Sequence, residues 1–105
     1  MSVQSYQRIT SITIPDSVTT IGYSALANCS SLTSITIPDS VTTIYDFTFS
    51  GCSSLTSITI PDTVTFLGDE TFWGCTDITV YTYSTATAVI DFCTNKNIPC
   101  ILLDA

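Results

Sequence analysis

A 23-residue period constrains this chain more tightly than any other feature. Residues 11–33 read SITIPDSVTTIGYSALANCSSLT, residues 34–56 read SITIPDSVTTIYDFTFSGCSSLT, and residues 57–79 read SITIPDTVTFLGDETFWGCTDIT. The first two rows agree at 16 of 23 positions and the last two at 14. A fixed period of about 20–50 residues marks a solenoid, because a unit too thin to bury its own apolar side stacks on copies of itself. Residues 1–10 would then hold an incomplete coil, with Tyr6 to Thr10 standing where each row has its CSSLT segment.

Each row carries the same punctuation. Ser-Ile-Thr-Ile alternates with period two, which suits a strand with both Ile side chains on one face. Pro15, Pro38 and Pro61 end that strand, since Pro has no N–H for the ladder. Asp16, Asp39 and Asp62 follow as turn residues whose carboxylates can accept a nearby backbone N–H. Val18 and Ile21, Val41 and Ile44, Val64 and Leu67 return to the interior on a second short extended piece. Gly22 and Gly68 suit the next bend, and Tyr45 takes that place in the middle row. Leu26, Phe49 and Phe72 each send a large group inward, Cys29, Cys52 and Cys75 a small one, and Leu32, Leu55 and Ile78 lead into the next strand. Stacking at ~4.8 Å turns these positions into continuous apolar columns joined by parallel backbone ladders.

Residues 80–105 break the period and read as a strand-helix-strand cap. Val80 to Tyr83 extends a strand, Ser84 or Thr85 is the expected N-cap, and Ala86, Val89, Ile90 and Cys93 fall at helical spacing. Lys96 lies near the negative end of the helix dipole, Asn97 suits a left-handed stop, and residues 98–103 return as a last strand. The first complete coil has no matching cover. Ile9, Ile12 and Ile14 form its assembly edge, a place where a second copy or another protein can stack.

Composition narrows the function. The net charge of −7, with 2 basic residues against 9 acidic, disfavours nucleic acid, which binds through phosphate neutralisation. No apolar run reaches the ~18 residues a membrane-spanning helix needs, so membrane insertion is not expected. The start, from Met1 to Tyr6, lacks the basic and apolar regions of a secretory signal, which argues for a cytosolic chain or an excised piece of an exported one. Among 105 residues are 20 Thr and 14 Ser but no His, so a hydroxyl nucleophile lacks the usual imidazole base. Catalytic residues, cofactors and a metal centre are not expected.

The row pattern Leu32-Thr33-Ser34-Ile35-Thr36-Ile37-Pro38, followed by Val41, Ile44, Phe49 and Gly51-Cys52, resembles the BspA-type leucine-rich repeat. Thr48 and Thr71 stand where that pattern has Ala. The resemblance implies a right-handed leucine-rich-repeat solenoid of the α/β horseshoe class, mostly parallel β, here with three coils and the C-terminal cap. It also implies a cell-surface or secreted protein of bacteria or protists that acts in adhesion and protein binding.

Several constellations bear on a site. The Cys column reads as small buried thiols, because in-register neighbours lie beyond disulfide reach and three atoms in a line cannot surround zinc. Cys93 and Cys100 can pair as a disulfide across helix and strand of the cap. The Asp16, Asp39 and Asp62 row has a spacing close to that of paired glycosidase carboxylates, but identical surroundings give no acid-base difference, so it reads as solvated turns. Ser11, Thr13, Ser34, Thr36, Ser57 and Thr59 form an outward hydroxyl ladder, suited to a protein edge or a carbohydrate. Tyr45, Phe47, Phe66 and Trp73 replace smaller or polar residues at outward positions and are the expected binding anchors. Trp73 and Phe66 have the alternative of packing under the cap. Asn28-Cys29-Ser30 matches a glycosylation acceptor, beside an inward Cys that argues against its use.

Overall fold

In the computed structural model residues 8–105 are described. The incomplete coil expected over residues 1–10 and the start read for a signal lie largely outside them. The Ser-Ile-Thr segments form β1 (Ser11–Thr13), β3 (Ser34–Thr36) and β5 (Ser57–Thr59). With β7 (Thr79–Thr82) and β8 (Cys100–Leu102) they build a five-stranded sheet in the order β1-β3-β5-β7-β8, every neighbouring pair parallel. The second extended pieces form β2 (Thr20–Ile21), β4 (Thr43–Ile44) and β6 (Phe66–Leu67), a three-stranded parallel sheet in chain order.

Alternation decides which side chains enter the core. Ile35, Ile37, Ile58 and Ile60 are buried, whereas the intervening Thr36 and Thr59 are exposed. Full burial of one such side chain is worth about 1.5–3 kcal/mol. Val41, Ile44, Phe49, Leu55, Val64 and Cys52 complete the columns, with Phe49 and Phe72 stacked at 5.5 Å and 8° between ring planes. A third set of backbone bonds joins the coils opposite the large sheet. Leu26 N–H donates to Thr48 O at 3.0 Å, Asn28 to Ser50 at 2.7 Å, Phe49 to Thr71 at 3.0 Å and Gly51 to Trp73 at 2.9 Å.

Two local expectations are corrected, and the register at the cap adds a finding. Each turn after the proline closes on a backbone carbonyl: Val18, Val41 and Val64 N–H donate to Pro15, Pro38 and Pro61 O at 3.1–3.3 Å. Asp62 is instead held by the Thr85 hydroxyl at 2.7 Å. Within the repeat rows the left-handed residues are Ser24, Asn28, Phe47, Gly51 and Gly74, not Gly22 and Gly68. Thus the bend falls two residues later in the first two rows and is followed by a second left-handed position. The pairing of β5 with β7 runs Ser57↔Thr79, Ile58↔Val80 and Thr59↔Tyr81, a shift of 22 residues against 23 between β1 and β3. That slip places Val80 fully inside, in the Ile column.

The cap forms as strand, helix and strand. Its helix α1 (Thr87–Lys96) buries Val89, Phe92 and Cys93. Ala86 is the N-cap and makes no side-chain capping bond. The residues expected there are engaged elsewhere, Ser84 with the Asp104 carboxylate at 2.8 Å and Thr85 with Asp62. Asn97 ends α1 in the left-handed conformation, its N–H directed to the Cys93 and Thr94 carbonyls, with Lys96 in the last turn.

Candidate binding surfaces

The hydroxyl ladder lies where alternation puts it. Ser11, Thr13, Ser34, Thr36, Ser57 and Thr59 are all exposed, and parallel pairing sets Ser11 beside Ser34 and Thr36 beside both Thr13 and Thr59. Beside it, Thr36, Thr59, Asp39, Pro61 and Tyr83 line a cleft of about 320 Å³. Tyr83 comes from the segment joining β7 to α1, so the cap makes this edge of the ladder concave.

Of the expected anchors, Tyr45, Phe66 and Trp73 are exposed, at 46%, 49% and 62% of their surface. Tyr45 and Phe66 sit with ring centroids 5.9 Å apart, and Phe47, half-buried, meets Tyr23 edge-on at 5.6 Å. Phe47 holds this position at φ 61°, a conformation costly for a bulky side chain. Tyr23 was not among the expected anchors, although it is exposed and pairs with Phe47. Its signal was the same as theirs, an aromatic in row one where rows two and three carry Asp46 and Asp69. Phe66 lies on β6, a strand that α1 packs against, and stays half-exposed, while Trp73 lines a second cleft against α1.

At the other end, Ile9, Ile12 and Ile14 are only half-buried, whereas Ile35 and Ile37, one coil on, are buried. Among the described residues β1 is an edge of its sheet.

The Cys column is inside, and two of its thiols have partners. Cys52 S–H donates to Leu26 O at 3.2 Å and Cys75 S–H to Phe49 O at 3.0 Å. Burial pushes the Cys52 thiol up to about 12, with the neighbouring Cys75 and Cys29 adding to the rise and the Cys29 backbone opposing it. Burial also pushes Cys93 up to about 12, helped by the adjacent Cys100, and both are free thiols. Asn28 is exposed, with left-handed backbone, next to the buried Cys29. Among the described residues no three His, Cys, Asp or Glu side chains converge as a metal site, and no helix is long and apolar enough to cross a membrane.

Residues 3–99 match the family described as the BspA type leucine rich repeat region (6 copies). No curated protein matches the chain. A leucine-rich repeat protein from Bacteroides ovatus, known from its crystal structure, is 38% identical over 70% of this chain, with a TM-score of 0.53. This chain spans 25% of that protein's length. The stacked parallel strands, the apolar columns and these matches have one account: the chain belongs to the BspA-type leucine-rich-repeat family.

Proposed function

We propose that the chain is a non-enzymatic module for protein recognition of the adhesive kind. The observation that carries this reading is the exposure of Tyr45, Phe66 and Trp73, joined by Tyr23, on a rigid repeat scaffold. Large rings lose little rotamer freedom when they are covered, and they dominate the energetics of interfaces. The hydroxyl ladder, from Ser11 to Thr59 on the five-stranded sheet, supplies a second, polar contact surface. A carbohydrate carried by the partner would sit beside Tyr83, where a ring, the Asp39 carboxylate and the Thr36 and Thr59 hydroxyls meet. Partner capture by immobilised protein tests the reading. Tyr45→Ala, Phe66→Ala and Trp73→Ala should each weaken capture while circular dichroism stays unchanged, and capture indifferent to all three would sink it.

A second reading is structural, favoured by the half-buried Ile9, Ile12 and Ile14 at the β1 edge. A neighbouring chain stacked there would bury these side chains and pair the β1 backbone groups that have no neighbouring strand among the described residues. Light scattering over a concentration series should then show a rising mass that Ile12→Lys abolishes. A constant monomer mass at high concentration would remove self-assembly.

A further inference from the structure

The geometry points to the cleft between the last repeat row and α1 as a slot for an arginine side chain of a partner protein. This assignment rests on the recognition reading above and names the chemistry of one contact within it. The cleft measures about 280 Å³, just below the ~300–1,000 Å³ typical of sites for drug-sized ligands, so it suits a single side chain. Its floor is apolar, built from the buried Phe72, Ile78 and Phe92. Trp73, Asp69, Glu70 and Lys96 are also among its lining residues.

Charge selects the occupant. The lining has two acidic residues against one basic one, and the basic one is not firmly committed, since Lys96 Nζ stands 4.0 Å from Asp69 Oδ1 and the Asp69 side chain is 85% exposed. An apolar occupant would strip water from these carboxylates without replacing it. An acidic one would meet them directly. A basic side chain instead lays its methylenes on the apolar floor and brings its charge to Asp69 and Glu70. Arginine fits better than lysine because a planar guanidinium both stacks on an indole face and presents paired N–H groups to a carboxylate. The net charge of −7 draws such a partner from a distance.

Trp73 is the single tryptophan of the chain, so its emission reports on this cleft directly. Titration with N-acetylarginine amide should give a saturable change in emission. The neutral isostere N-acetylcitrulline amide should bind about fivefold or more weakly, having lost the charge-assisted hydrogen bonds. Free arginine, with a carboxylate of its own facing Asp69 and Glu70, should also bind more weakly than the amide, which separates a peptide occupant from the free amino acid. Asp69→Asn and Glu70→Gln should each weaken binding roughly two- to fivefold, and Lys96→Met should tighten it by a similar factor. A flat titration, equal binding of the citrulline amide, or indifference to both carboxylate variants overturns the slot. If the titration is flat while Tyr45→Ala still abolishes partner capture, the slot fails and the recognition reading stands. If the amide binds but no aromatic variant alters capture, the recognition reading fails and with it the assignment of the slot to a protein's arginine.

Discussion

The Thr48 hydroxyl lies 3.0 Å from the Gly22 carbonyl oxygen, 26 residues back in the chain. The same hydroxyl stands 2.7 Å from Tyr45 O in its own coil, and its side chain is fully buried. Thr71 repeats the arrangement one row on, at 2.6 Å from Gly68 O and 3.4 Å from Tyr45 O. The two Thr residues that depart from the family's Ala thus place a polar bracket between coils, on turn carbonyls of which Gly22 O and Gly68 O also accept the N–H of Ala25 and of Thr71.

Thr48→Val tests that bracket, because it keeps the shape and removes the donor. Losing one such hydrogen bond costs about 0.5–1.5 kcal/mol. Urea denaturation should show a loss of that size, and Thr48→Ser should recover part of it. A Val variant as stable as the parent would mean that the hydroxyl contributes nothing.

Gly22 and Gly68 occupy equivalent places in their rows and should respond differently to alanine. A Cβ on Gly22 meets nothing within 4 Å, whereas one on Gly68 falls 2.5 Å from the Asp46 amide nitrogen and 2.8 Å from its Cα. Backbone cannot give way as a side-chain tip can. Gly22→Ala should be neutral or up to about 1 kcal/mol stabilising. Gly68→Ala should cost about 1–3 kcal/mol, measured by the same urea midpoints.

The stacked Phe49 and Phe72 rings span two coils, and Phe49 is wholly buried. Phe49→Ala should cost about 3–5 kcal/mol, a large share of the ~5–15 kcal/mol that holds a typical domain together. Thermal unfolding followed by circular dichroism checks this, with Phe49→Leu as the milder companion that keeps most of the volume.

The buried thiols set an alkaline limit. Cys52 and Cys93 are pushed up to about 12, from an ordinary value of 9.0. Between those values the unfolded chain has released protons that the folded chain still holds. The unfolded state then binds fewer protons, so stability is full below about pH 9 and falls as pH rises from there toward 12. Urea midpoints should drop across that window, and Cys52→Ser should lessen the slope.

The inward columns were legible from the rows alone. Ile35, Val41, Phe49, Cys52 and Leu55 all lie inside as the pattern required, because each row faces the same problem of burying one side. The cap was legible as an arrangement but not in its start. Local propensity favours Ser84 or Thr85 as N-cap, yet both hydroxyls are drawn to carboxylates distant in sequence, Asp104 and Asp62. The anchors were legible as aromatic departures from the repeat, and Tyr23 carried that signal too. Phe47 was not legible as half-buried, since its left-handed backbone and its contact with Tyr23 arise only when two coils meet.

The sequence by itself determined the period, the parallel stacking and the identity of the core columns, because repeated alternation leaves one way to bury every Ile at once. Only the tertiary structure decided the 22-residue shift onto β7. In a strict 23-residue register Val80 would take the outward place of Ser57 and Tyr81 the inward place of Ile58. A one-residue slip reverses the two faces of a strand, and burying Val80 while leaving Tyr81 half-buried beside Thr59 on the outer face is the arrangement that closes the core. The same cap sets α1 against Trp73, Asp69 and Glu70, forming a cleft that no single row could have announced.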